Sequence, residues 1–194
     1  MPALESLLDR LIQGRVQFCI VGGFAAMAHG VTLLTQDLDI CLPFSTENLS
    51  RLQNALAGLN PVHRMTPQRL PLEITEENAS RLKNLYLDTD IGQVDCLGEV
   101  KGVGGFDAVL GLSQQVTFGQ GQCWLLGIDG LIRAKEAMGR PHDQLTILQL
   151  RAIQHRQSDC HYAAIQQATQ YVATAQVPVI HRATISSQSV GHGE

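Results

Sequence analysis

Leu4, Leu7, Leu8, Leu11 and Ile12 recur at helical spacing, so residues 3–13 are predicted to form a helix that Gly14 ends. The apolar run over 16–21 (VQFCIV) reads as a buried strand. Gly22 and Gly23 break it, and 24–29 (FAAMAH), rich in helix formers, predicts a helix closed by Gly30. Residues 37–42 (DLDICL) alternate polar and apolar, the period of a strand, and Pro43 stops it. A cap-like Ser45 with Glu47 behind it opens a helix over 45–59, marked by Leu49, Leu52, Leu56 and Leu59. Residues 60–80 read as an irregular connection holding a short helix. Strands are predicted over 82–88 and 93–97, with Asp90-Ile91-Gly92 as the turn of a hairpin, and further strands over 107–118 and 122–126. Helices follow over 129–138, 143–155 and 160–174, the first two separated by Gly139-Arg140-Pro141.

This alternation of periods implies an α+β fold: a small mixed β-sheet with packed helices, followed by a helical C-terminal region. The expected division is an α/β core over 1–127, helices over 128–175 and a loosely ordered tail over 176–194, where Pro, Ser, Gly and His mix without periodicity.

Composition narrows the classes. With 44% apolar residues the chain of 194 can build a full core, and with only 5% aromatics that core must come from Leu, Ile, Val and Ala. A net charge of −4 argues against a protein that coats nucleic acid through a broad basic surface. The segment 131–156 nevertheless holds five Arg or Lys against two acids, enough for a local basic groove. Five cysteines, an odd number without a CxxC pair, read as buried small hydrophobes in a reducing compartment. No basic leader precedes an apolar run and no apolar stretch is long enough to span a bilayer, so a soluble cytoplasmic protein with no membrane partner is expected.

The chemistry concentrates on three acids. Asp37 and Asp39 stand at i and i+2, so in a strand both carboxylates leave the same face while Leu38 and Ile40 anchor the other. Adjacent like charges raise one another's pKa unless a cation lies between them, and Mg²⁺ prefers such hard oxygen ligands. Asp95 supplies a third carboxylate in an apolar strand, where a charge is costly unless compensated. Ahead of them, Gly22-Gly23 ends a strand and opens a helix, an arrangement whose backbone can approach a phosphate closely. It is neither GxGxxG nor a P-loop.

Together, FCIVGGFAAMAHGVTLLTQDLDICLP resembles the nucleotidyltransferase fold of the DNA polymerase β type, and within it the small bacterial minimal and abortive-infection-toxin nucleotidyltransferases. The matching pieces are Gly22-Gly23, His29-Gly30, the Thr35-Gln36-Asp37-Leu38-Asp39-Ile40 strand, Val94-Asp95-Cys96-Leu97, and Lys135 with Gly139-Arg140-Pro141 and Asp143; they span residues 16–150. The resemblance implies transfer of a nucleoside monophosphate from an NTP to a hydroxyl, with Mg²⁺ or Mn²⁺ held by Asp37, Asp39 and Asp95 as the catalytic acids. It implies nucleotide contacts from Gly22, Gly23, Thr35, Lys135 and Arg140. The acceptor stays open among an RNA 3′ end, a protein hydroxyl and a small molecule. The resemblance further implies the toxin component of a toxin–antitoxin pair, with an antitoxin as partner. Two departures stand out: Leu33 where the family often has Arg, and Thr146 where it often has Asp. They motivate the alternative of a catalytically degenerate nucleotide- or partner-binding module of the same fold.

Overall fold

The computed structural model describes the backbone of residues 2–119 and 121–174, and the side chains of 4–119 and 121–159. Its elements, in chain order, begin with α1 (Pro2–Gln13), β1 (Cys19–Ile20), α2 (Gly22–Ala28), β2 (Asp37–Cys41) and α3 (Thr46–Ala55). There follow β3 (Val62–His63), α4 (Glu76–Ala79), β4 (Asn84–Thr89), β5 (Gly92–Leu97), β6 (Glu99–Val100), β7 (Gly104–Gly105) and α5 (Phe106–Gly111). The last are β8 (Ser113–Phe118), β9 (Gly121–Leu126), α6 (Ile128–Met138) and α7 (Asp143–Thr174).

Seven strands make one mixed sheet in the order β3-β4-β5-β2-β1-β9-β8, and β6 pairs with β7 beside it. The β4–β5 and β8–β9 pairs are antiparallel hairpins. The decisive neighbour is less local: β2 runs parallel to β5, with Asp39 opposite Asp95. Alternation along both strands then puts Leu38, Ile40, Val94 and Cys96 on the other side of the sheet, where all four are fully buried. They share a core with Leu4, Leu7, Leu8 and Leu11 of α1 and Leu49 and Leu52 of α3. The leucine stripes seen in the sequence therefore fasten the strand backs, and the acidic faces of β2 and β5 look the opposite way. The mixed sheet with packed helices agrees with the expected fold class.

Several boundaries differ from expectation. The first strand is shorter than expected, Cys19–Ile20: the Val21 N–H still continues its pairing with β2, donating to the Asp39 carbonyl at 3.0 Å, and Gly22, at φ +63°, then turns the chain. Helix α2 accordingly starts at Gly22 instead of residue 24. The expected strand over 107–118 is divided: residues 106–111 coil into α5, with Asp107 in its first turn and Val109 buried, and only 113–118 extend as β8. The connection over 60–80 contributes α4, as expected, and also β3, which was not expected. The helices expected over 143–155 and 160–174 form one helix, α7, in whose range no Gly or Pro occurs. Ser45 caps α3 as expected, accepting the Asn48 N–H at 3.3 Å.

One compact unit comprises residues Met1–Arg156 and a second comprises Gln157–Glu194. The tail reading over 176–194 and the side chain of Cys160 lie outside the described residues. The other four cysteines are buried free thiols. Burial pushes each of them up, Cys19 to about 11 and Cys41 to about 12, so they remain neutral thiols packed as hydrophobes. Among the described residues no helix is long and apolar enough to cross a membrane.

Candidate active site

Asp37, Asp39 and Asp95 converge. Each offers a carboxylate oxygen, and these three oxygens lie within 4.8 Å of one another. The convergence follows from two strand facts: the i, i+2 spacing on β2 and the Asp39–Asp95 register across the parallel pair. The cluster forms the floor of a cleft of about 990 Å³ bordered by the Gly22-Gly23 turn, Thr35, Arg64 and, from α6 onward, Lys135 and Arg140.

Each carboxylate has a different partner. Thr35 donates its hydroxyl to Asp37 Oδ1 at 2.6 Å. Gly23, in the first turn of α2, directs its N–H toward Asp39 Oδ2 at 3.4 Å. Asp95 takes a guanidinium: Arg64 Nη2 donates to Oδ2 at 2.6 Å, and Nη1 sits 2.6 Å from Oδ1. That second contact lacks hydrogen-bond alignment, leaving Asp95 Oδ1 buried with an electrostatic neighbour and no hydrogen bond.

The crowding appears in the acidities. Asp39 is raised to about 6, first by burial, then by the charges of Asp37 and Asp95, with the Gly23 N–H and Lys135 opposing. At Asp95 burial pushes the carboxyl up and Arg64 opposes that push. Burial pulls Arg64 down, but its hydrogen bond to Asp95 and the charges of Asp95 and Asp37 outweigh this and raise it, so the guanidinium stays charged.

The glycine turn is fitted to the acids. A Cβ on Gly22 would lie 2.0 Å from Asp39 Oδ2. One on Gly23 would meet the Thr35 hydroxyl oxygen at 2.7 Å and its Cβ at 2.8 Å. The two glycines therefore leave room for the Asp39 carboxylate and for Thr35, which hydrogen-bonds Asp37. That packing role is additional to the phosphate approach expected from the sequence.

Lys135 and Arg140 line the cleft, as Thr35 does. Lys135 is already engaged, its Nζ 2.7 Å from Asp143 Oδ1, with both side chains largely buried. The basic excess over 131–156 is thus partly neutralised within itself, since Arg151 also pairs with Glu136. Leu33 and Thr146 both face the cleft. His29 bonds the Leu126 carbonyl at 2.9 Å and fastens α2 to the end of β9.

Sequence reasoning missed Arg64 and Tyr86. Arg64 follows β3 in the connection over 60–80, where no periodicity or motif marks it. Its N–H donates to the Tyr86 carbonyl at 2.9 Å, its guanidinium lies 5.5 Å from the Tyr86 ring centroid, and Tyr86 is the cross-strand partner of Asp95. The available signal was the β4–β5 hairpin itself, whose register places Tyr86 beside Asp95.

No model of a known protein family matches the chain, and no curated protein matches its sequence. Among solved structures it is similar to the solution structure of the antibiotic-resistance factor ANT(2'')-Ia. The TM-score is 0.51 at 14% identity, with 88% of this chain and 96% of that chain covered. The likeness shows the fold: a mixed sheet with packed helices, followed by C-terminal helices.

Proposed function

We propose that this protein is a metal-dependent nucleotidyltransferase that moves a nucleoside monophosphate from an NTP to a hydroxyl acceptor. The observation that carries the proposal is the convergence of Asp37, Asp39 and Asp95 in one cleft beside a Gly-Gly turn. The donor set fits Mg²⁺ or Mn²⁺: three hard carboxylate oxygens lie within 4.8 Å of one another. Asp37 and Asp39 would hold the ion, with Asp95 on the acceptor side. When bound, the ion supplies positive charge against the triphosphate and the departing pyrophosphate.

The chain's own residues account for the rest. Thr35 fixes the Asp37 carboxylate, and the Gly23 N–H does the same for Asp39. Gly22 and Gly23 keep the turn open to phosphate, with Thr35, Lys135 and Arg140 around the nucleotide. Asp95 accepts the acceptor's hydroxyl proton as the new oxygen–phosphorus bond forms and the bond to pyrophosphate breaks. The acceptor classes are an RNA 3′ end, a protein hydroxyl and a small molecule. A cytoplasmic toxin held by an antitoxin is the setting the sequence resemblance implies.

The test is NTP turnover by the full chain with Mg²⁺ or Mn²⁺, following pyrophosphate release with RNA, a protein extract and small hydroxyl compounds as separate acceptors. The expected result is metal-dependent pyrophosphate release with one acceptor class. Leu33 in the cleft favours the second reading, a degenerate binding module, in which NTP binds and no acceptor releases pyrophosphate.

Thr35→Val tests the support beneath the metal. It removes the only hydrogen-bond donor seen on Asp37 among the described residues and keeps the side-chain volume. Mn²⁺ affinity should fall roughly 10- to 100-fold, with little change in melting temperature. Unaltered affinity by calorimetry would show that Thr35 does not orient Asp37.

A further inference from the structure

The charges around the acidic floor do not match a site built only for cations. Three carboxylates bring three negative charges to one face of the sheet. Arg64 returns one positive charge, and it is held there on three sides. Its N–H is fixed to the Tyr86 carbonyl, its guanidinium lies against the Tyr86 ring, and both terminal nitrogens sit 2.6 Å from the two oxygens of Asp95. Its side chain is only 20% exposed and that of Asp95 only 9%, so the pair is barely screened by solvent. The nearby Lys135 is engaged by Asp143.

The three acids and the one guanidinium in contact with them leave a negative charge of two, which one divalent ion balances, with Arg140 farther out on the cleft wall and not hydrogen-bonded to any of the three. The ligand oxygens also divide this way. Asp37 and Asp39 project side by side from β2 with small, uncharged donors on them. Asp95 faces them across the strand pair with both its oxygens in contact with a cation already. A second divalent ion on Asp95 would have to lie within a few ångströms of the guanidinium, a repulsion that outweighs any gain from one shared carboxylate.

We infer that Arg64 is an internal counter-ion that occupies the second-cation position on Asp95, so that the protein without substrates is a one-ion site. This inference rests on the proposed metal-dependent reading of the three acids. Arg64 is a positioning residue in this role: it decides which carboxylates a metal can reach, and it must leave Asp95 before that carboxylate can take another partner.

The experiment counts bound Mn²⁺ on the full chain, by electron paramagnetic resonance of the free ion and by calorimetry, with no nucleotide present. The wild type should bind one Mn²⁺ that Asp39→Asn abolishes. Arg64→Gln should bind two, the second at least roughly tenfold tighter than any second ion on the wild type. Arg64→Gln combined with Asp95→Asn should return to one. Arg64→Lys keeps the charge without the two-pronged grip and should fall between wild type and Arg64→Gln, and it decides by the same count if melting shows that Arg64→Gln does not fold. Equal stoichiometry and affinity in wild type and the Arg64 variants, or two ions on the wild type, overturn the inference while leaving the metal site intact. Mn²⁺ binding that Asp39→Asn does not affect overturns the metal reading itself, and the inference with it.

Discussion

Asp39→Asn should abolish metal-dependent nucleotidyl transfer, by roughly a thousandfold or more, and should make the metal-free protein more stable near neutral pH. The two effects have one cause. Asp39 is raised from its ordinary 3.8 to about 6 by burial and by two neighbouring carboxylates. A carboxyl raised on folding contributes stability that is fully present below about pH 4 and is lost as pH climbs through about 6. Above that window the ionised group works against the fold, by about 2 kcal/mol after allowance for its remaining solvent contact. Asparagine does not titrate, keeps an oxygen for the Gly23 N–H, and removes one charge from the cluster. Melting temperatures of the two proteins between pH 4 and pH 8 in chelator should therefore diverge: similar stability at pH 4, the variant higher at pH 8. Mg²⁺ should raise the wild type at pH 8 and leave the variant unmoved. A variant less stable than wild type at pH 8 in chelator would mean that Asp39 is a structural acid, and the catalytic reading of the trio would fall with it.

Gly22→Ala should damage both fold and site. Gly22 has φ +63°, where a side chain costs about 1–2 kcal/mol, and its new Cβ would stand 2.0 Å from Asp39 Oδ2 and 2.6 Å from Cγ. The carboxylate is the movable partner, so the clash is relieved by swinging Asp39 away from Asp37 and Asp95. The total expected loss is about 3 kcal/mol, or roughly 6–12 °C in melting temperature, together with loss of Mn²⁺ binding. The pairing of readouts matters: a simple backbone defect would lower the melting temperature and spare metal affinity in the fraction that stays folded. A Gly22→Ala protein that binds Mn²⁺ as the wild type does would show that Asp39 does not depend on a bare residue at this position.

What could be read from the chain follows the range of each physical signal. Asp37 and Asp39 were legible as a same-face pair because strand alternation is a two-residue property, and Leu38 and Ile40 confirmed it from the other side. Asp95 was legible as a charged position in an apolar strand. Its place beside Asp39 was not derivable from either segment, because a parallel register is set by the whole sheet. Arg64 was hidden for a similar reason: it reaches Asp95 through β3 and β4, and β3 is a two-residue strand inside a segment without periodicity. Residues 106–111 coil instead of extending because their apolar run is short enough to suit either form, and packing of Val109 settles it. Helix α7 runs past its expected break because Ser158 and Asp159 disfavour a helix interior only weakly compared with Gly or Pro.

The brevity of β1 has a consequence for how the molecule comes into being. Two residues, Cys19 and Ile20, join the half-sheet β3-β4-β5-β2 to the hairpin β8-β9, and their partners Trp124 and Leu125 lie more than half the chain away. Both hairpins close from neighbouring sequence, a quick and local event, whereas the seam between them requires a large loop to be closed for a short reward in pairing. A single residue, Val21, separates that seam from the Gly-Gly turn. The three acids sit on β2 and β5 inside the half-sheet, whereas Lys135 and Arg140 follow β9 in the chain, so a chain whose half-sheet forms before the seam closes holds the acidic floor of the cleft before its cationic wall.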